Sequence, residues 1–143
     1  MKMLSKKLIS TMCVIMIVIT SLFSITALAS TKAGYVTIKP LNVNTTIGDV
    51  DKAFVTGYSS IFAKKGSSDS NYTLRVWVKD TSNSTTLSEK HSFTVNGTNT
   101  GHWIVYKSGA SYKVGDNIRF YGEQSSASSK GLDYVIYGDK AEL

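Results

Sequence analysis

The chain has 143 residues, room for one domain, and a formal charge of +6 from 16 Lys and Arg against 10 Asp and Glu. Its single cysteine is Cys13, so no disulfide framework and no thiol chemistry are available beyond that point, and the fold must rest on its hydrophobic core. The basic residues are not clustered as nucleic-acid recognition requires, which argues against a nucleic-acid partner.

Residues 1–29 read as a secretory signal peptide. Lys2, Lys6 and Lys7 form a positive start, an apolar run follows to Leu28, and Ala27-Leu28-Ala29 is a small-x-small cleavage site. The competing reading is a retained membrane anchor, since the apolar run is nearly long enough to span a bilayer. Cys13 follows Ser10, Thr11 and Met12 rather than a lipobox, and the apolar run continues past it, which argues against lipidation. Three of the 16 basic residues and none of the acidic ones lie in the leader, so removing it leaves 13 against 10 and a formal +3. That mild positive balance favours anionic envelope polymers or membrane surfaces.

Residues 30–143 are expected to form one β-sandwich domain. Short apolar, β-branched runs alternate with Gly, Ser, Asn and Asp clusters from Thr31 onward. Residues 35–39 open the series and Pro40 ends the first run, because proline cannot donate to a ladder. Residues 42–47 are a weaker strand closed by Gly48-Asp49, residues 53–59 a third with Gly57 at a bulge, and residues 63–70 a polar loop. Residues 71–80, NYTLRVWVKD, carry the cleanest period-2 pattern. Tyr72, Leu74, Val76 and Val78 share one face, and Thr73, Arg75, Trp77 and Lys79 the other. Residues 81–86 turn the chain, and residues 87–95 return as its hairpin or meander partner. Asn96-Gly97 predicts a type I′ turn that would pair residues 102–107 back on residues 92–95. A turn at 112–116, a strand at 117–123, a serine-rich loop at 124–130 and a final strand at 132–137 complete the chain. The fold class is therefore all-β, an antiparallel two-layer β-sandwich of seven or eight short strands, with a small β-barrel as the alternative. Parallel α/β folds need crossover helices that this pattern lacks.

Catalytic patterns are weak. His91 and His102 sit inside strand runs with no G-x-S-x-G setting near either, so no nucleophilic triad is expected. Without a cysteine beside them they give no zinc pattern, although the Asn96-Gly97 hairpin would set the two face to face. Asp49 and Asp51 have the alternation of a calcium loop but are followed by Lys52-Ala53-Phe54, which favours a solvated turn. Nothing marks two of Glu89, Glu123, Asp133 and Glu142 as a glycosidase pair. Four N-x-Ser/Thr sequons, at Asn44, Asn71, Asn83 and Asn96, matter only in a glycosylating host. No catalytic residue, metal ligand or cofactor is assigned, and the chain is read as a non-enzyme.

The aromatic residues are more informative. Trp77 lies opposite Leu74, Val76 and Val78, between Arg75 and Lys79, and Tyr121 lies opposite Ile118 and Phe120, beside Arg119. An outward row of Arg75, Trp77, Lys79, Arg119 and Tyr121 could stack on sugar rings or anchor a protein. The opposing reading is that Trp77 merely shields its own sheet from water.

The run GDNIRFYGE (Gly115, Asp116, Asn117, Ile118, Arg119, Phe120, Tyr121, Gly122, Glu123), followed after a polar loop by Tyr134-Val135-Ile136-Tyr137-Gly138, resembles the C-terminal half of certain small secreted proteins of Gram-positive bacteria. The resemblance covers about a third of the chain, implies secretion and a β-rich fold, and brings no catalytic residues. The expectation is a secreted, extracellular interaction module that binds a carbohydrate, an envelope polymer or a protein, with no membrane span after cleavage. An exported antibacterial effector and a secreted hydrolase inhibitor, presenting residues 63–70 or 124–130, are the alternatives.

Overall fold

A computed structural model describes residues 30–54 and 56–139; the expected signal peptide, with Cys13, and Glu142 lie outside the described residues. Eight antiparallel strands form two four-stranded sheets. They are β1 (Thr31–Ile38), β2 (Thr45–Asp51), β3 (Tyr58–Lys65), β4 (Tyr72–Asp80), β5 (His91–Val95), β6 (Thr100–Val105), β7 (Asn117–Gln124) and β8 (Lys130–Tyr137). The first sheet runs β1-β8-β3-β6 and the second β2-β7-β4-β5. The architecture is a two-layer sandwich; no closed barrel forms among the described residues.

The alternation of β4 decides its orientation. Tyr72, Leu74, Val76 and Val78 are buried in the core with Ile118 and Phe120 of β7 and Ile47 and Val50 of β2. From the facing sheet come Ile38, Ile61, Ala63, Ile104, Leu132, Tyr134 and Ile136. In β3, β4, β7 and β8 the core set falls on every second residue, so a one-residue slip in their pairing would push this set into water and the polar set inward. In β2 an irregularity between Thr46 and Gly48 interrupts the alternation.

Several expectations are corrected. Asn96-Gly97 does not close a hairpin. β5 pairs with β4, whereas β6 pairs with β3 in the other sheet, so this turn carries the chain from one layer to the other. Asn96 has no left-handed backbone; its Oδ1 accepts from the Thr98 amide at 2.8 Å, and its carbonyl accepts from the Lys65 amide at 2.9 Å. An Asx turn has displaced the type I′ turn. His91 and His102 consequently sit on different sheets. The second strand starts later than expected because Leu41 and Asn42 are left-handed, at φ 57° and 60°, and it runs on through Gly48-Asp49 with its register shift at residue 47. The Asp49-Val50-Asp51 segment is thus strand, not a solvated turn.

Ala53, Phe54, Thr56 and Gly57 are not strand either. The amides of Ala53 and Phe54 donate to the Asp139 carboxylate, at 2.9 and 3.2 Å, instead of to a ladder. Finally, residues 63–65 belong to β3, paired with Tyr134, Asp133 and Leu132 of β8, so the polar loop begins only at Gly66.

Candidate functional site

The register between β4 and β7 sets Trp77 opposite Tyr121, Lys79 opposite Arg119 and Arg75 opposite Glu123. On the other side of β7, Arg119 faces Asp49 of β2. The outward side chains of three strands therefore meet in rows, and all five residues singled out in the sequence stand on one sheet face.

The middle row is aromatic. The rings of Trp77 and Tyr121 stack with centroids 5.6 Å apart and planes 13° from parallel. Lys90 Nζ lies 4.6 Å from the Trp77 ring centroid and Lys79 Nζ lies 5.5 Å from that of Tyr121, both within cation–π range. Trp77 points outward, as its place in the alternation requires, but its neighbours leave it only 4% exposed. An open Trp platform is therefore not what the face offers. The accessible surface is that of Tyr121 and the surrounding cations.

The flanking rows are ionic. Arg119 donates from Nε and Nη2 to the two Asp49 carboxylate oxygens at 2.6 and 2.7 Å, a bidentate pair. The hydrogen bond from Arg119 holds the Asp49 carboxyl below its usual value, against the opposing effect of burial, and the Arg119 guanidinium is raised in turn, first by Asp49 and then by Tyr121. On the opposite flank the buried Glu123 accepts from Arg75 at 3.0 Å and from Lys90 at 2.8 and 2.9 Å, while Arg75 also donates to the Asn42 side chain. Beside the stack a groove of 340 Å³ is lined by Trp77, Lys79, Ser88, Glu89, Lys90 and Lys107, among others, with Lys107 paired to Glu89 at 3.0 Å. Across face and groove, five cations (Arg75, Lys79, Lys90, Lys107, Arg119) stand against three carboxylates (Asp49, Glu89, Glu123).

Sequence reasoning missed Lys90 and Lys107. Both lie outside strands with clear alternation, and the chain must fold before the bridge between Ser88 and Tyr106 brings their segments together. Glu123, an acid catalyst candidate by residue type alone, has two cations on its carboxylate and is a structural counter-charge here.

A second constellation lies inside the sandwich. Lys52, just past β2, is 1% exposed, and its Nζ is 2.9 Å from Asp139 Oδ1, just past β8. The ammonium also donates to the carbonyls of Gly138 (2.7 Å) and Tyr58 (3.2 Å) and to Thr56 Oγ1 (3.3 Å), and it lies 4.9 and 5.2 Å from the rings of Tyr106 and Tyr112. Burial pushes the Lys52 pKa down despite Asp139. For Asp139, burial works upward, but hydrogen bonds from Thr56, Lys52 and Ala53 outweigh it and the carboxyl stays below its usual value. No signal in the sequence marks this pair, since Asp51-Lys52 reads as an ordinary polar turn.

The remaining histidine chemistry is modest. His102 stacks on Phe93 with centroids 3.7 Å apart, and its Nε2 is buried without a hydrogen-bond partner. Among the described residues no three His, Cys, Asp or Glu side chains gather as metal ligands, and no helix is long and apolar enough to cross a membrane. Asp49 is committed to Arg119, and Asp51 accepts from the Asn117 side chain at 2.8 Å, so the alternate carboxylates of the calcium-like run are both engaged by protein donors. No family model, curated protein or solved structure matches the chain.

Proposed function

We propose that this chain is a secreted, non-catalytic interaction module that binds an anionic, sugar-containing envelope polymer through the outer face of its second sheet. The observation that carries the reading is the Trp77–Tyr121 stack set among Arg75, Lys79, Lys90 and Arg119 beside a cation-lined groove. Rigid aromatic area with a polar tip suits sugar rings, and a surplus of cations draws an anionic chain toward the groove. Lys79 can exchange a ring contact for an anion, and the pairs that Glu123 makes with Arg75 and Lys90 and that Asp49 makes with Arg119 hold those cations in fixed positions. Export is supported by the positive start, apolar run and Ala-x-Ala site of residues 1–29.

Co-sedimentation of the purified protein with anionic and with neutral envelope polysaccharides, over a salt series, tests the reading. Retention on the anionic polymer that falls with salt and is reduced in Lys79→Ala/Lys90→Ala and in Tyr121→Ala is expected. Undiminished retention in all of these variants would remove the face from the function. Equal retention on neutral polymer would remove the charge argument.

A further inference from the structure

Lys52 and Asp139 follow closely on two strands from opposite sheets, and the chain ends of β2 and β8 are brought together so tightly that only glycine fits between them. A Cβ on Gly138 would overlap the Asp51 carbonyl oxygen. The pair that results is sealed, with side-chain exposures of 0% and 3%. We propose that it is a modification site, at which the Lys52 ε-amine and the Asp139 carboxyl condense into an intramolecular amide.

The groups around the pair are disposed as this reaction needs. The amine and the carboxyl start as an ion pair, at 2.9 Å between Nζ and Oδ1, so the two reacting groups are already held side by side and the entropy of bringing them together is largely spent. Asp139 Oδ2 accepts from the backbone amides of Ala53 and Phe54, two fixed donors aimed at the oxygen on which charge develops when Nζ adds to Cγ. The other oxygen, Oδ1, accepts from Thr56 Oγ1 at 2.7 Å, and the same Oγ1 lies 3.3 Å from Nζ as an acceptor. Thr56 thus bridges the atom that must lose a proton and the atom that must gain one. The Gly138 and Tyr58 carbonyls orient the amine, and the Tyr106 and Tyr112 rings help to enclose it.

The step balances without a cofactor. The ammonium first passes a proton to Oδ1, giving a neutral amine and a carboxylic acid, a transfer that burial of both groups favours and that the hydrogen bonds to the Asp139 carboxylate oppose. The nitrogen lone pair then forms the C–N bond, and the charge moves to Oδ2. A second nitrogen proton passes through Thr56 to Oδ1, the C–Oδ1 bond breaks, and water leaves. Nothing is oxidised or reduced. Two buried charges, costly to keep out of water, become one neutral amide. The product ties the end of β2 to the end of β8 in a chain with no cysteine after residue 13.

Mass spectrometry of the protein purified from expressing cells is the direct test. The expected result is a mass lower by one water than the processed chain requires, and a branched peptide joining Lys52 to Asp139 in the digest. Lys52→Arg and Asp139→Ala should each restore the full mass. Thr56→Val should slow the loss of water while leaving the fold intact. Separate, unmodified peptides for Lys52 and Asp139 after prolonged incubation of the folded wild-type protein would overturn the proposal, and so would the same loss of water in Lys52→Arg. An unchanged rate in Thr56→Val would overturn the role given to Thr56. The wild-type digest stands alone as the test of the amide, so a variant that fails to fold does not alter the outcome, and the result is independent of polymer binding.

Discussion

Tyr121 stacks on Trp77 from the adjacent strand, ring centroids 5.6 Å apart, and by doing so helps to leave the outward-pointing indole only 4% exposed. The first physical consequence is local: an aromatic pair on a sheet surface contributes about 1 kcal/mol beyond the area it buries. Tyr121→Ala should therefore lower the stability by about 1–2 kcal/mol and shift Trp77 emission to the red as water reaches the indole. Measured in a Trp103→Phe background, an unmoved emission maximum would mean that other groups shield Trp77.

The pairing of Arg119 with Asp49 predicts an acid-side change in stability. The Asp49 carboxyl is held below its ordinary value of 3.8, chiefly by the Arg119 hydrogen bond. A carboxyl whose folded pKa is depressed stabilises the fold fully above its unfolded pKa and loses that contribution as pH falls through the folded pKa. Urea unfolding should thus show Asp49-dependent stability at neutral pH that disappears in acid, and Asp49→Asn should flatten that part of the profile. Both partners are about a third exposed, so the effect is small and should shrink in high salt. A profile identical in Asp49→Asn and wild type would show that the pair carries no net stability.

Much of the architecture is legible in the sequence because alternation is a local property. Residues 72–80 declare their inner and outer faces unaided, and the same holds for Ile118, Phe120 and Tyr121 of β7. Which strand pairs with which is not local. Asn96-Gly97 has the composition of a tight hairpin, yet the Asx turn at Asn96 and the pairing of β6 with β3 send the chain to the other sheet. Exposure is not local either. The pattern correctly turns Trp77 outward, but Tyr121 and Lys90, remote in sequence, largely enclose it. Burial of Lys52 is the extreme case, since a lysine is expected at the surface unless a partner 87 positions away, Asp139, arrives to meet it.

Gly138 should be among the least replaceable positions. The atoms an added Cβ would meet are the Asp51 carbonyl and, at 3.3 Å, the Lys52 Cα, which are backbone and cannot swing aside. Gly138→Ala should cost about 1–3 kcal/mol through displaced backbone, and should draw Asp139 away from Lys52. Thermal unfolding provides the comparison with Gly109→Ala, where φ is +78° but no atom lies within 4 Å. There the cost is backbone strain alone, on the order of 1 kcal/mol. Equal melting temperatures for Gly138→Ala and wild type would contradict the close approach of β2 and β8.

His102 gives the last prediction, a loss of stability on mild acidification. Its ring lies on Phe93, bridging β6 of one sheet and β5 of the other, and burial lowers its pKa below 6.5 while Nε2 has no acceptor to welcome a proton. Above pH 6.5 the ring is neutral in the folded and unfolded chains alike, and the full stability is present. Below that value the unfolded chain takes up the proton first, so stability falls with pH until the folded ring titrates as well and the loss levels off. Denaturation midpoints should therefore drop between neutral pH and about pH 5. His102→Phe, which keeps a stacking ring and removes the titrating group, should abolish that drop. A midpoint that falls equally in His102→Phe would place the sensitivity elsewhere.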